Sequence, residues 1–234
     1  MTAPLHVGIV ACSAEGAALC YRTFCTEAPG LLGRPYAHAE VSLHGHSFAE
    51  YDARISRDDW EGVAELMLDS ARKLAASGAR FLICPDNTIH QAFRFFEGRS
   101  PLPWLHIAEV VAAEAVERGF RKLGLTGTRW LVASEVYPEK LAARGLAWVR
   151  PGDADRLECS RIIMEELVKG RFLPEGVRTF QEVIGRLKDA GCDAVVLGCT
   201  EIPLIISDAN SPLPTLDSTR LLARAAIRRA IAGG

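Results

Sequence analysis

The apolar run Val195-Val196-Leu197, followed at once by Gly198-Cys199-Thr200-Glu201-Ile202-Pro203-Leu204, constrains this chain more than any other stretch. A short, wholly apolar run reads as a buried strand. The segment at its end turns polar and carries a thiol. In open α/β sheets ligands bind beyond the carboxyl ends of strands, so Cys199 is the first candidate for chemistry. The same pattern occurs once before. A helical segment stops near Ser77-Gly78, Ala79 to Cys84 reads as a buried strand, and Pro85-Asp86-Asn87-Thr88 follows. Counting eight residues on from Gly78 reaches Asp86; counting eight on from Gly191 reaches Cys199. The upstream segments correspond too, Gly8-Ile9-Val10-Ala11-Cys12-Ser13 with Gly124-Leu125-Thr126-Gly127-Thr128. Self-similarity of this kind points to duplicated architecture, although βα units resemble one another in any case and chance is the competing reading.

The remaining elements fit an alternation of strands and helices, which means parallel sheets. His6–Ala11 is a first strand, with small residues and then a helix over Ala17–Thr26. Tyr36–Leu43 is expected as a second strand leading into a polar segment with His44 and His46. Asp58 or Asp59 caps a long helix whose apolar positions Val63, Leu66, Met67, Ala71 and Leu74 keep helical spacing. Trp104–Ile107 is a short strand, Ala108–Arg118 a helix, and Arg121–Leu125 a strand. Helices are expected over Ser134–Ala143, Asp155–Val168 and Thr179–Ala190, with a strand at Leu146–Val149 between the first two. Pro214–Leu216 leads through Asp217 into a last helix, Arg220–Ile231. The fold class expected is α/β: two similar domains with mainly parallel sheets, related by pseudo-twofold symmetry. The expected boundaries are residues 1–104 plus 215–234 for one domain and 105–214 for the other. The active site is expected in the cleft between them, with Asp86 and Cys199 on opposite sides of a ligand. That is the arrangement a two-base proton transfer needs.

Composition narrows the function. A net charge of -2 over 234 residues leaves no footprint for nucleic acid or an anionic membrane. Seven cysteines form neither a disulfide framework nor a Cys-x-x-Cys zinc pattern. His44-Gly45-His46 lacks a third ligand nearby, and Cys12–Gly16 is not a GxGxxG loop. No signal peptide or membrane-spanning run is apparent, so a reduced, cytoplasmic protein acting on a small molecule is expected, with no metal.

At this point the chain resembles the aspartate/glutamate racemase superfamily, in particular its cofactor-independent amino-acid racemase branch. Gly-Cys-Thr-Glu-Ile-Pro-Leu at 198–204 resembles the second catalytic motif of that family. Asn87-Thr88-Ile89-His90 resembles the Asn-Thr-x-His that follows its first catalytic position. Gly127-Thr128 with Ser134 and Tyr137 resembles its Gly-Thr segment, and Asp217-Ser218-Thr219-Arg220 its closing Asp-Thr-Thr-Arg. The resemblance implies a two-domain α/β enzyme, often a homodimer, needing neither pyridoxal phosphate nor metal. Three positions depart from the pattern. Asp86 stands where a cysteine is usual, Ala11-Cys12-Ser13-Ala14-Glu15 replaces a Gly-Gly-Met-Gly-Pro loop, and Leu131 stands where a threonine is expected.

The expected catalytic pair is Cys199 and Asp86. A thiolate is the reactive form of cysteine, and a carboxylate near a second anion is pushed towards holding its proton. The competing role for Asp86 is to orient Asn87 or cap the next helix. Asn87, Thr88 and Thr200 suit a substrate α-carboxylate and the charge that develops when the α-proton leaves. Ser13 and Thr128 occupy matching loops and are expected to meet the same ligand. Glu201 is read as holding its loop, with positioning of a substrate ammonium as the alternative; His90 packs under the loop or contacts Asp86; His44, Arg54 and Arg161 are read as ordinary surface charges, with contact to a distal substrate carboxylate as the alternative. Cys84 is read as the buried end of its strand. The activity expected is inversion of an amino-acid α-carbon, with aspartate or glutamate as candidate substrates. The alternatives are single-thiol decarboxylation or isomerisation of a small dicarboxylic acid, and non-catalytic binding of a small molecule.

Overall fold

The computed structural model describes residues 3–233. They form two compact units. One holds the chain up to Ile107 together with the segment from Thr219 on; the other is the continuous stretch Ala108–Ser218.

In the first unit β1 (Val7–Ala11), β2 (Val41–Gly45), β3 (Phe81–Ile83) and β4 (Trp104–Leu105) form a sheet in the order β2-β1-β3-β4. All pairings are parallel, with Gly8 opposite Leu82 and Ser42. In the second unit β5 (Lys122–Thr126), β6 (Ala147–Val149), β7 (Ala194–Leu197) and β8 (Thr215–Asp217) repeat that order as β6-β5-β7-β8, again all parallel. The central strands are apolar and buried throughout, as a sheet covered on both faces requires.

The correspondence extends to single residues. Gly8 sits on β1 beside Leu74 of α3 (Trp60–Ala76), and a Cβ there would lie 3.2 Å from the Leu74 Cβ. Gly124 sits on β5 beside Leu187 of α8 (Pro174–Asp189), and a Cβ there would lie 3.1 Å from the Leu187 Cβ. In each sheet a glycine lets a helix press on the central strand. The strand opposite Gly8 is at Leu82, and the strand opposite Gly124 is at Val195. Four residues beyond these partners stand Asp86 and Cys199. The equivalence first read by counting from Gly78 and Gly191 is thus also a matter of sheet register.

Several elements differ in extent from the sequence expectation. The second strand is Val41–Gly45, later than Tyr36–Leu43, because Tyr36 takes a left-handed turn conformation (φ 61°) and is exposed. His44 therefore lies on the strand and not in a loop. The first helix, α1 (Ala14–Leu32), starts earlier because Ser13 caps it, and runs through Pro29 to close at Gly33 (φ 62°). A helix absent from the sequence reading, α2 (Phe48–Ile55), buries Tyr51 and Ile55 one turn apart. Ser134 is extended (ψ 173°), so the segment expected as one helix is split into α5 (Arg129–Ala133) and α6 (Val136–Ala142). At the boundary between the units α4 (Ile107–Glu117) precedes β5, and α7 (Asp153–Glu165) ends at Glu166, whose φ of −119° departs from the helical value. Pro174 opens α8 well ahead of the expected Thr179, since its fixed φ suits a first helical position.

The last helix, α9 (Ser218–Ala232), packs on the first unit. Leu5 N–H donates to the Ala230 carbonyl at 2.9 Å, Arg224 grips Glu27 with two nitrogens at 2.6 and 3.0 Å, and Arg229 lies over the Phe81 ring. The core of the second unit joins α7 and α8 to β7 through Ile162, Ile163, Phe180, Val183 and Val195.

At the end of β7, Gly198 passes very close to β5. A Cβ on it would stand 2.5 Å from the Thr126 carbonyl oxygen and 2.7 Å from Leu131 Cδ2. Because the first of these is backbone, relief requires the strand ends to part. Gly198→Ala is expected to cost about 1–3 kcal/mol, measured as a lower urea midpoint; an unchanged midpoint would mean that the strand ends can part freely.

Candidate active site

Strand order places a switch point in each sheet. From β1 the chain crosses to one neighbour, β2, and then returns to the other side at β3; β5, β6 and β7 do the same. The crevice at such a point, beyond the carboxyl ends of the strands, is where open α/β sheets bind ligands. Asp86 and Ser13 lie at this place in the first unit, Cys199 and Thr128 in the second.

In the first unit the loop after β1 turns directly into α1. Ser13 is extended, and its hydroxyl accepts the Gly16 N–H at 3.2 Å. The N–H groups at such a helix start lack partners within the helix and carry partial positive charge. Asp86 supplies the partner: its carboxylate accepts the Cys12 N–H at 3.2 Å and the Ser13 N–H at 3.2 Å to both oxygens. Donors aimed at a carboxylate favour its charged form. Asp86 thus reaches back to the β1 loop, a role different from capping the helix that follows it.

His90, buried in the 3-10 segment Thr88–Phe95, fixes the Asp86 main chain. Its Nδ1 is 3.0 Å from the Asp86 carbonyl, and its Nε2 accepts the Ile107 N–H at 3.4 Å. A carbonyl can only accept, so Nδ1 carries the proton and the ring is the neutral tautomer. The ring also stacks on Phe93. Asn87 is buried beside Asp86, and the Thr88 carbonyl accepts from the Gln91 side chain.

Two neighbours of Asp86 are held in their neutral forms. Cys84 is fully buried, and burial, with the Asp86 charge adding to it, pushes its thiol well above the ordinary range. Tyr51 on α2 is also fully buried; burial, and next to it Cys12, Cys84 and Asp86, push its phenol upward. Tyr51 had no signal in the sequence reading because the short helix that carries it was not recognised.

In the second unit Gly198 N–H donates to the Thr126 carbonyl at 3.0 Å, and Gly127 takes a positive φ (153°) against Gly198. Leu131 fills the space beside both glycines, which gives this departure from the family pattern a packing role. Thr128 caps α5 by accepting the Leu131 N–H at 3.3 Å. The half-buried Cys199 points its thiol at Glu201, with Sγ 2.9 Å from Oε2. Thr200 Oγ1 donates to the same oxygen at 2.7 Å. Glu201, only 2% exposed, thus holds the catalytic candidate as well as its loop. Its place two residues after the cysteine was the signal available in the sequence. Below β7, Ser218 Oγ donates to the Leu197 carbonyl at 2.8 Å. Nearby Tyr137 is raised by burial and then by Asp217, against a lowering hydrogen bond with Ser218.

The other candidates are engaged elsewhere. Arg161 is held by Glu158 and Glu166, and Arg54 by its own helix neighbour Glu50. His44 Nδ1 meets Ser70 Oγ at 2.9 Å, and His46 Nε2 lies 2.8 Å from Asp69. Among the described residues no group of three or more His, Cys, Asp or Glu side chains is placed to hold a metal ion, and no helix is long and apolar enough to cross a membrane.

The model of the Asp/Glu/hydantoin racemase family matches residues 9–226, nearly the whole chain. The chain belongs to that family. Its structure is similar to a crystal structure from Yersinia pestis described as a candidate Asp/Glu racemase (30% identity, TM-score 0.87, 97% of this chain and 99% of that one). It is also similar to an aspartate racemase homologue from Pyrococcus horikoshii (28% identity, TM-score 0.82, the same coverage). Among curated proteins, RacX of Bacillus subtilis, a broad-specificity amino-acid racemase, is 22% identical over 172 residues, covering 72% of this chain and 73% of that protein. Two α/β units with parallel four-stranded sheets are the fold of this family.

Thiol reactivity should separate the cysteines. Cys84 is pushed far up, and burial lifts Cys159 to about 12. At pH 8 a thiol at that value is ionised only to about one part in ten thousand. Brief alkylation with iodoacetamide at pH 8, followed by peptide mapping, is expected to mark Cys199 and spare Cys84 and Cys159. Preferential labelling of Cys84 would contradict its assignment as an inert strand end.

Proposed function

We propose that this chain is a cofactor-independent amino-acid racemase or epimerase in which Asp86 and Cys199 are the two acid–base groups. Family membership, with relatives described as racemases, supports amino-acid racemisation as the class of reaction. One observation carries the assignment of the pair: the two residues hold register-equivalent positions beyond β3 and β7 yet rest in opposite states. Asp86 is a carboxylate receiving two main-chain N–H groups, and Cys199 is a thiol donating to Glu201.

The chemistry follows from those states. The Asp86 carboxylate removes the α-proton and becomes a carboxylic acid. The electron pair left on the α-carbon delocalises into the substrate carboxylate as an enediolate. The Cys199 thiol delivers its proton to the opposite face and becomes a thiolate, which gives the other enantiomer. For the reverse substrate the thiolate is the base and the carboxylic acid the donor. Asn87 and Thr88, the Thr200 N–H, and the hydroxyls of Ser13 and Thr128, which accept at their helix starts and keep a hydrogen to give, supply donors for the substrate carboxylate, whose charge grows in the transition state. Glu201 keeps Cys199 protonated between turnovers, because its anion accepts the thiol hydrogen and opposes a second negative charge beside it. The homodimer and the absence of a cofactor belong to the same reading.

Incubation with single enantiomers in D2O tests it. Loss of optical purity with solvent deuterium at Cα is expected. Asp86→Asn and Cys199→Ser should each reduce the rate by about a hundredfold or more, with the fold intact by circular dichroism. Near wild-type racemisation by Asp86→Asn would remove Asp86 from the chemistry. Carbon dioxide release from substituted malonates, without racemisation, would replace racemisation by single-thiol decarboxylation.

Glu201→Gln offers a separate check. Loss of the anion beside Cys199 should speed alkylation of that thiol at neutral pH. Slower alkylation would instead make Glu201 the group that takes the thiol proton.

A further inference from the structure

The first unit contains a cavity of about 420 Å³ beyond the ends of β1 and β2, a size suited to a small ligand. Cys12 and Ser13 form part of its wall, and their N–H groups are the ones that bind Asp86. The cavity is therefore one hydrogen bond from a proposed catalytic group. The rest of its surface is mainly apolar, with Ala17 and Ala18 of α1 facing Leu43 and Phe48.

Charge decides what such a wall accepts. A carboxylate taken from water into an apolar site needs a cation or several donors. Among the described residues no Lys or Arg lines this cavity. The one imidazole in the wall among the described residues, His46, lies 2.8 Å from Asp69, a carboxylate that also pairs with Lys73 at 2.6 Å. The start of α1 would ordinarily attract an anion. Here the Cys12 and Ser13 N–H groups already hold the Asp86 carboxylate and Ser13 takes the Gly16 N–H, so this helix start carries an anion of its own even though the Ala14 and Glu15 N–H groups are not among those it engages. An acidic side chain entering the cavity would meet an apolar wall and approach a like charge.

We infer that this cavity receives the substrate side chain and selects uncharged, apolar amino acids over aspartate and glutamate. The inference rests on the racemase reading and specifies its substrate class. Burial of each further methylene is worth about fourfold in affinity, so kcat/KM should climb from alanine to leucine by at least tenfold.

The test is α-proton exchange in D2O with alanine, leucine, methionine, phenylalanine, aspartate and glutamate. Leucine or methionine should exceed both acidic amino acids at least tenfold in kcat/KM. Ala18→Trp, an exposed helix position on the cavity wall, should lower the leucine value at least fivefold and leave alanine within twofold. Leu43→Arg supplies the missing cation and should raise aspartate relative to leucine at least tenfold. Preference of the wild-type enzyme for aspartate or glutamate overturns the inference and leaves racemisation standing. If no amino acid exchanges, the racemase reading fails, and calorimetric binding of leucine and aspartate decides the cavity alone. Tighter leucine binding supports the selectivity; tighter aspartate binding, or no binding of either, overturns it.

Discussion

The contact between the Asp86 carboxylate and the Cys12 and Ser13 N–H groups is the constraint on which the first unit's site depends. It joins the loop beyond β3 to the loop beyond β1 at the place where strand order reverses. It also answers the polar demand of the α1 terminus with the protein's own anion. A cysteine at position 86 would give those N–H groups a much weaker acceptor. The carboxylate at position 86 therefore organises the loop after β1, whose residues are Ala-Cys-Ser-Ala-Glu.

The second unit solves the corresponding problem differently. Gly198 and Gly127 bring the ends of β7 and β5 into close contact, and Leu131 seals the space beside them. The thiol is then turned onto Glu201, which shares one oxygen between Cys199 and Thr200. The two halves keep the same strand order and equivalent register, while their strand-end chemistry has diverged.

Much of this was legible in the sequence because the signals were local. Buried strands announced themselves as apolar runs, glycines marked helix ends at Gly78 and Gly191, and Asp59 capped α3 as expected. The correspondence of Asp86 with Cys199 could be counted because both halves space a helix-ending glycine and a strand end alike. What escaped was governed by contacts distant in sequence or by single backbone torsions. The left-handed Tyr36 moved β2, and the extended Ser134 divided a helix. The reach of Asp86 to residues more than seventy positions earlier has no sequence signature. Nor does the buried setting of Tyr51, which depends on α2 packing against α3.

The return of α9 to the first unit carries a consequence for synthesis on the ribosome. The second unit is one continuous stretch and has all its partners once residue 218 has emerged. The first unit waits for the carboxyl-terminal helix, since Leu5 must meet Ala230 and Glu27 must meet Arg224. Domains ordinarily fold in the order in which they emerge. Here the half begun first is completed last, since the helix that places Arg229 over the Phe81 ring is the last part of that unit to be made.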